Sequence, residues 1–268
     1  MKEEAKEILR LENIKFSYDK KNIAIDDISL SLYSGEKVAI IGENGSGKSS
    51  LFLACNMINK ISSGNIYLKN KKLSNKRSQI NQVRKSVGIV FQNPNDQIIA
   101  SNVYEEISFG PMNLGISIDE VRSRVEKSME ILSILDYRDR ATQYLSGGEQ
   151  KKVTIASILS MEPEIILFDE PMASLDMKSS RELEESLDML SDKGIGIVAS
   201  THDIDFVWRW AQRIILMDKG KIIVDCKREE FFDKEEILST YNINIPILYS
   251  VGKKLNLKSL PRCIEDLL

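Results

Sequence analysis

The fold is decided by Gly42-Glu43-Asn44-Gly45-Ser46-Gly47-Lys48-Ser49, which matches the pattern G-x-x-x-x-G-K-[ST] at every fixed position. The glycines let the backbone wrap tightly, so that successive amide N–H groups point inward at a phosphate. Lys48 is placed to reach the β- and γ-phosphates of a nucleotide, and the hydroxyl of Ser49 to hold Mg²⁺. The stretch therefore predicts a nucleotide-binding site.

The segments on either side of this loop have the pattern that phosphate binding requires. Val38–Ile41 is a short apolar run typical of a buried strand, and Ser49–Asn59 has helical potential. A helix that begins at the loop adds its positive N-terminal end to the phosphate site. Because kinases and GTPases carry the same loop, the motif alone does not name the activity.

The rest of the chain predicts an α/β fold. Residues 8–18 and 25–33 alternate apolar and polar side chains, as half-buried strands do. Continuously apolar runs then alternate with helical segments, which favours a parallel sheet covered on both faces. We predict a P-loop NTPase domain at 1–225, with a mostly parallel core sheet, an antiparallel β subdomain and an inserted helical subdomain at about 93–160, followed by a small C-terminal extension at 226–268. The apolar runs are Val87–Phe91, Ile165–Phe168, Ile195–Ser200 and Arg213–Met217.

Composition argues against several other classes of protein. A formal net charge of −3 gives no global basic field, so no nucleic-acid partner is predicted. Three widely spaced cysteines indicate neither a disulfide framework nor a zinc site. No apolar run approaches the roughly 20 residues that span a bilayer, and the charged N-terminus lacks the apolar core of a signal peptide. One local cluster of basic residues is explained by a solvent-exposed face near a strand turn. Its members are Lys69, Lys71, Lys72, Lys76 and Arg77.

Two acids and the only histidine follow apolar strands. The run Ile165–Phe168 leads directly into Asp169 and Glu170, and Ile195–Ser200 is followed closely by His202. Because ligands of parallel sheets bind at the carboxyl ends of the strands, these side chains are expected near the phosphate loop. Asp169 is suited to hold Mg²⁺, Glu170 to aim the attacking water, and His202 to bridge the γ-phosphate and that water.

A second glycine motif, Leu145-Ser146-Gly147-Gly148-Glu149-Gln150, resembles the LSGGQ signature of ABC (ATP-binding cassette) ATPases, with glutamate in the place of the first glutamine. Ser146 and the two glycines open a helix, whose N-terminus binds anions. A chain with one phosphate loop needs no second phosphate site for itself. In the family this segment closes over ATP held by the opposite subunit, so the resemblance implies a dimer that sandwiches two ATP molecules.

Other positions of residues 8–225 match the family pattern in order. Tyr18 resembles the aromatic residue that stacks on adenine, Gln92 the glutamine that senses Mg²⁺ and water, and Ser174-Leu175-Asp176 the D-loop at the dimer interface. Met172 and Ser174 depart from the pattern, since members usually carry Thr and Gly there. The resemblance implies ATP hydrolysis with Glu170, His202 and Gln92 as catalytic residues, and Ser49, Gln92 and Asp169 as Mg²⁺ ligands. The residues that it places at the nucleotide are Tyr18, Gly42, Glu43, Asn44, Gly45, Ser46, Gly47, Lys48, Ser49, Ser50, Ser146, Gly147, Gly148 and Asp176.

The segment Phe91–Gly115, with its QNPNDQ and FGPMNLG stretches, looks like the ATPases of energy-coupling factor importers. In those proteins it grips a transmembrane coupling subunit, a separate membrane subunit binds the substrate, and a C-terminal extension resembling residues 246–267 helps to hold the dimer. The resemblance implies a peripheral protein on the cytoplasmic face of the membrane. Cobalt is the predicted cargo, with nickel and B vitamins as alternatives. Another kind of ABC importer stays open, as does pairing with a paralogue.

Two classes of ABC protein without transport fit less well. DNA-repair and chromosome-organising ATPases carry long coiled-coil insertions between the phosphate loop and the signature, whereas only compact elements separate Lys48 from Ser146. Ribosome-associated factors hold two cassettes in tandem, and this chain carries a single set of motifs.

Overall fold

A computed structural model describes residues 6–19 and 22–267, so the first five residues of the charged N-terminal segment lie outside it. The described strands are β1 (Glu7–Ser17), β2 (Ile23–Tyr33), β3 (Lys37–Ile41), β4 (Ser63–Leu68), β5 (Lys71–Lys72), β6 (Val87–Val90), β7 (Ile165–Asp169), β8 (Gly196–Ser200), β9 (Arg213–Asp218) and β10 (Lys221–Lys227). The described α-helices are α1 (Lys48–Cys55), α2 (Arg77–Ser86), α3 (Val103–Asn113), α4 (Ile118–Ile131), α5 (Gly147–Leu159), α6 (Met177–Asp192), α7 (Ile204–Trp210), α8 (Arg228–Phe232), α9 (Glu235–Thr240) and α10 (Ile247–Lys254).

The core sheet has the strand order β10-β9-β3-β8-β7-β6. Strands β9, β3, β8, β7 and β6 run parallel, and β10 pairs antiparallel with β9. Ala199 of β8 pairs with Ala39 of β3 on one side and with Phe168 of β7 on the other. The three central strands therefore end at the same level, which brings the phosphate loop and the two acids to one edge. The mostly parallel sheet is confirmed.

Both faces of the core sheet are buried, which explains why its strands are apolar without alternation. In β7, Ile166 and Phe168 pack into a core that includes side chains of α3 to α7. Ile165 and Leu167 point to the opposite face, where they join a second core with α1 and the antiparallel strands. The sheet is thus the middle layer of three.

The antiparallel subdomain is a sheet in the order β2-β1-β4-β5. Its first two strands were predicted at 8–18 and 25–33 and are found at Glu7–Ser17 and Ile23–Tyr33. In β2, Ile28 and Leu30 are buried while Ser29 between them is exposed, as the alternating pattern predicted. This sheet packs over α1 and so covers the phosphate-loop side of the core sheet.

The inserted helices α3, α4 and α5 lie between β6 and β7 and pack against one another. Ser117 begins α4, because its hydroxyl accepts a hydrogen bond from the N–H of Glu120 at 3.3 Å. The apolar residues Val121, Val125 and Met129, spaced four residues apart, are buried on the inner face of that helix.

Two elements differ from the sequence-based prediction. Helix α1 ends at Cys55 rather than near Asn59, because Asn56 leaves the helix and its carboxamide donates to the carbonyl of Val87. The sequence pattern indicated no helix in the polar, basic stretch at 70–85, which contains α2. Only Val83 of α2 is buried, so the apolar periodicity that marks a helix is nearly absent there.

The C-terminal segment packs beside α7. The indole N–H of Trp208 donates to the carbonyl of Pro261 at 2.8 Å, and the Asp205 carboxylate accepts the N–H of Ile247 at 2.9 Å. Both contacts tie the tail to the helix that follows His202. Among the helices of residues 6–19 and 22–267, none has the length and apolar character to cross a membrane.

Candidate functional site

The phosphate loop joins the end of β3 to the start of α1. Gly42 and Gly47 have φ angles of +149° and +106°, a region that favours glycine. A Cβ atom at Gly42 would lie 2.2 Å from the carbonyl oxygen of Met217, and one at Gly47 would lie 2.5 Å from that of Ala24. The loop backbone is therefore pressed against β9 and β2, and neither position has room for a side chain.

The polar groups of this loop fit a phosphate. The ammonium of Lys48 donates to the carbonyls of Gly42 and Glu43, at 2.7 Å and 3.0 Å. Burial lowers the pKa of Lys48, and the carboxylates of Glu170 and Asp169 oppose the shift. The Ser46 hydroxyl is buried without a hydrogen-bond partner among the described residues. An ammonium, an unpartnered hydroxyl and a helix N-terminus together suit an anion with several acceptor oxygens.

The two acids follow β7 and are fixed by the neighbouring strand. Ser200, the last residue of β8, donates its hydroxyl hydrogen to Asp169 Oδ1 at 2.6 Å. The same hydroxyl oxygen accepts the N–H of Glu170 at 3.0 Å. Ser200 was not predicted as a site residue, although its place at the end of an apolar strand before His202 is the signal that identifies it.

Glu170 and His202 are in direct contact. The carboxylate Oε2 of Glu170 lies 3.1 Å from Nδ1 of His202, whose side chain is otherwise 82% exposed. Glu170 has a φ angle of +44°, which is uncommon for a residue with a side chain, and such strained residues cluster at functional sites. A carboxylate and an imidazole thus stand side by side at the edge of the sheet that carries the phosphate loop.

A cleft of about 620 Å³, a size within the range of small-molecule sites, brings together Lys48, Asp169 and Glu170, whereas His202 lies outside its lining. Tyr18 forms one side, with its hydroxyl 3.1 Å from Oγ of Ser50 and its ring edge-to-face on Phe16. The sequence pattern did not mark Asn22, Ile23 and Ala24, which the hairpin of β1 and β2 brings into the cleft. The lining residues are Tyr18, Asn22, Ile23, Ala24, Asn44, Gly45, Gly47, Lys48, Ser49, Ser50, Gln92, Asp169 and Glu170.

Three oxygen-bearing side chains line the cleft where a divalent cation would accompany a nucleotide. They are the hydroxyl of Ser49, the amide of Gln92 and the carboxylate of Asp169. Oxygen donors of this kind are the ligands that Mg²⁺ prefers, with phosphate oxygens and water completing its shell.

The signature motif forms a separate helix N-terminus. The Ser146 hydroxyl accepts the N–H of Glu149 at 3.4 Å, and the Glu149 carboxylate accepts the N–H of Ser146 at 2.7 Å, which is a capping box. Ser146 and Gly147 are exposed, and none of Ser146, Gly147 and Gly148 lines the cleft. Asp176 also lies outside the cleft, where it caps α6 by accepting the N–H of Ser179 at 2.7 Å.

Comparison with known proteins gives consistent matches. Residues 25–173 match the family described as ABC transporter. The chain is 40% identical over 239 residues to the energy-coupling factor transporter ATP-binding protein EcfA of Methanococcus maripaludis, covering 89% of this chain and 86% of that protein. It is similar to cbiO1 of Clostridium perfringens, part of the ABC transporter complex cbiONQ, with a TM-score of 0.78, 35% identity, and coverage of 94% of this chain and 100% of that one. The ATP-binding cassette MJ0796, in a dimeric post-hydrolysis state bound to ADP and Pi, has a TM-score of 0.72 and 27% identity, covering 82% of this chain and 98% of its own.

These matches agree with the site. The family match begins in β2 and extends through the phosphate loop, the signature helix and the two acids. The EcfA relative aligns over most of both chains. The chain therefore belongs to the ABC transporter family, as an ATP-binding, ATP-hydrolysing subunit of the energy-coupling factor type.

Proposed function

We propose that this chain works as a dimer that sandwiches two ATP molecules and powers a membrane importer of the energy-coupling factor type. The observation that carries the proposal is the presence in one chain of two separate glycine-rich helix N-termini, each suited to a phosphate. The phosphate loop lines the cleft, whereas the exposed N-terminus of α5 does not. The free N–H groups of Gly147 and Gly148 are unused within the helix and are suited to the γ-phosphate held by a second subunit.

In the proposed site five of the cleft residues bind the nucleotide or its metal ion. Lys48 leaves the carbonyls of Gly42 and Glu43 to bind the β- and γ-phosphates, while Tyr18 packs on the adenine ring. Ser49, Gln92 and Asp169 supply oxygen ligands to Mg²⁺. When it is bound with ATP, the metal ion neutralises charge that develops on the phosphates. The presence of these residues in one cleft supports the assignments.

The proposed hydrolytic step uses the pair beside the cleft. Glu170 aligns the attacking water and accepts its proton, and His202 contacts both Glu170 and the γ-phosphate. Loss of the γ-phosphate removes the anion that holds Lys48 of one subunit and the Ser146 helix end of the other. The dimer then opens, and ATP binding closes it again. The 3.1 Å contact between Glu170 and His202 supports this pairing of roles.

The exposed apolar side chains Ile99, Phe109 and Met112 form our candidate surface for the transmembrane coupling subunit. The buried carboxylate of Glu106 accepts the N–H groups of Ile99 and Ala100, both at 2.9 Å, and so fixes the loop that presents Ile99. Docking there would place the chain on the cytoplasmic face of the membrane, next to a membrane subunit that binds the substrate. We propose cobalt as the cargo, as the resemblance of the sequence to energy-coupling factor importers implies.

We also propose that residues 1–225 form the ATP-binding domain, with the helical subdomain at about 93–160, and that residues 226–268 form a dimerisation extension. The anchoring of the tail at Trp208 supports a fixed position for this extension. Exposed Ile247 and Ile264 of the extension and Met177 of α6 surround one cleft of about 700 Å³, which offers apolar area to a second subunit.

The first experiment tests the sandwich. Glu170→Gln should nearly abolish turnover while leaving ATP bound, and an ATP-dependent dimer should appear on size-exclusion chromatography. The double variant that adds Ser146→Arg should not form this dimer but should still bind nucleotide, because the arginine side chain fills the space between α5 and the partner's phosphate. Glu130→Gln, at an exposed position of α4, is the control. A Glu170→Gln protein that stays monomeric with saturating ATP would contradict the proposal.

The second experiment tests transport. The chain is copurified with its membrane neighbours, reconstituted in vesicles, and assayed for ATP-dependent uptake of cobalt, nickel and B vitamins. Cobalt uptake that disappears with Glu170→Gln would support the proposal, whereas uptake of another cargo alone would overturn the cobalt assignment. Phe109→Asp should reduce copurification and leave the ATP affinity of the isolated chain unchanged.

A further inference from the structure

Lys151, in the second turn of α5, is buried with only 2% of its surface exposed. Its ammonium donates to the carbonyls of Phe91 and Gln92, at 2.9 Å and 2.8 Å. Burial lowers its pKa to about 8, with the Asp169 carboxylate opposing the shift. Lysine is almost never fully buried unless its charge is paired, yet no carboxylate of the described residues forms an ion pair with Lys151. Two backbone carbonyls therefore hold this charge.

The neighbouring lysine shows the ordinary alternative. Lys152 keeps part of its side chain in solvent and forms an ion pair with Glu182 of α6 at 2.7 Å. Burying an ammonium away from any carboxylate costs free energy that its hydrogen bonds must offset, so a gain in stability alone is a weak reason for burying Lys151. Its two hydrogen bonds both go to the segment that leaves β6 and enters the cleft.

The same segment is held from the other side by Gln97. The N–H of Phe91 donates to Oε1 of Gln97 at 3.0 Å, and Nε2 of Gln97 donates to the carbonyl of Ile89 at 3.3 Å. Strand β6 is the last of its sheet, so its outer backbone groups need partners from outside the sheet. Gln97 supplies them, and residue 91 is fixed through both its N–H and its carbonyl.

Gln92 is the residue whose position this arrangement sets. Its carbonyl is bound to Lys151, and its side chain lines the cleft with Ser49 and Asp169. Lys151 lies five residues after Ser146, about 7.5 Å along the axis of the same helix. A rigid helix therefore connects the exposed signature end to the backbone of a cleft residue.

We propose that Lys151 is a positioning residue that couples the signature helix to Gln92. When the N-terminus of α5 contacts the nucleotide of the partner subunit, the helix positions Gln92 in the Mg²⁺ site of this chain. The proposal rests on the ATP sandwich described above. It assigns no chemistry to the lysine itself, which touches neither nucleotide nor metal.

The test replaces the ammonium while keeping the length of the side chain. Lys151→Met should lower turnover about tenfold and raise the Mg²⁺ concentration for half-maximal turnover several-fold, as loss of groups that orient metal ligands does. In a Glu170→Gln background, the affinity for Mn²⁺ measured by electron paramagnetic resonance with ATP bound should fall to a similar extent. Affinity for ATP without metal should stay within about twofold, because the phosphate loop is unchanged.

Controls separate coupling from packing. Lys152→Met, one residue away, should match the unaltered chain in Mg²⁺ and Mn²⁺ dependence, and Lys151→Gln, which keeps N–H donors, should recover part of the loss. Should Lys151→Met fold poorly, Gln97→Leu releases the N–H of Phe91, the residue whose carbonyl Lys151 binds, and should shift the metal dependence in the same direction.

Unchanged metal dependence in Lys151→Met or Gln97→Leu, with only a lower melting temperature, would overturn the coupling. The Glu170→Gln dimer with Lys151 intact tests the sandwich independently. Its absence would reject the proposed function, whereas a normal dimer with unaltered metal dependence in Lys151→Met would reject the coupling alone.

Discussion

Ser200 donates its hydroxyl hydrogen to the Asp169 carboxylate at 2.6 Å, which joins the last residues of two adjacent parallel strands. Ser200 is completely buried, and its oxygen also accepts the N–H of Glu170. One hydroxyl therefore fixes both the carboxylate of Asp169, the proposed metal ligand, and the backbone N–H of Glu170, the proposed catalytic base. Because a hydrogen bond to a charged group contributes about 1.5–3 kcal/mol, this contact is significant for both stability and geometry.

Ser200→Ala should lower the free energy of unfolding by about 2 kcal/mol, since the carboxylate of Asp169 loses a buried donor. Turnover should fall about tenfold, because the Asp169 carboxylate is no longer oriented. Urea denaturation and steady-state ATPase assays measure the two effects. Ser191→Ala is the control, since that buried hydroxyl donates to the neutral carbonyl of Gly35 at 3.1 Å. Equal turnover in the two variants would show that Ser200 has no role in the site.

His202→Ala should separate catalysis from stability. The histidine side chain is 82% exposed and its one hydrogen bond in the described chain is to Glu170. Turnover should fall about 10²-fold, the usual contribution of a positioned acid–base group. The free energy of unfolding should change by less than about 0.5 kcal/mol, as for other exposed side chains. A thermal melt and an ATP-binding titration complete the measurement; loss of ATP affinity equal to the loss of turnover would argue for a binding role instead.

Ser174→Gly should stabilise the protein. Ser174 is exposed and has a φ angle of +64°, a left-handed conformation that costs a residue with a side chain about 1–2 kcal/mol. Glycine removes this cost but gains about 0.5–1 kcal/mol of entropy in the unfolded chain, so the net gain should be about 0.5 kcal/mol. Ser123→Gly, at an exposed position within α4, should change stability in the opposite direction. Destabilisation by Ser174→Gly would mean that the serine side chain makes a stabilising contact.

The sequence predicted the fold and the centre of the site because both depend on local patterns. Gly42 and Gly47 are required by backbone geometry, and the apolar strands before Asp169 and His202 fix which edge those residues reach. The departure at Ser174 was visible in the sequence, and its left-handed conformation supplies the physical reason why glycine is usual there.

What the sequence did not predict depends on contacts between distant segments. Ala24 reaches the cleft only because the β1–β2 hairpin folds over the phosphate loop. Lys151 resembles its half-buried neighbour Lys152 in sequence, and only the packing of α5 against the end of β6 buries Lys151 completely. Helix α2 was missed because it buries a single apolar side chain.

Glu149 should make stability depend on pH. The N–H of Ser146 and then the Arg140 guanidinium, 2.8 Å away, lower the pKa of Glu149 from 4.5 to about 2. A lowered pKa means that the ionised carboxylate stabilises the fold fully above about pH 4.5 and progressively less as the pH falls toward 2. Glu149→Gln should therefore lower the free energy of unfolding at pH 7 by about 1 kcal/mol, because the carboxylate is partly solvated and glutamine still bonds the Ser146 N–H.

Urea denaturation at pH 7, 5 and 3.5 measures this dependence. The difference between the unaltered chain and Glu149→Gln should be the same at pH 7 and 5 and smaller at pH 3.5. Glu126→Gln is the control, since that exposed carboxylate pairs with Arg138 at 3.0 Å and caps no helix. A difference for Glu149→Gln that stays constant down to pH 3.5 would show that the charge of Glu149 does not stabilise the signature helix, and that its contribution is hydrogen bonding alone.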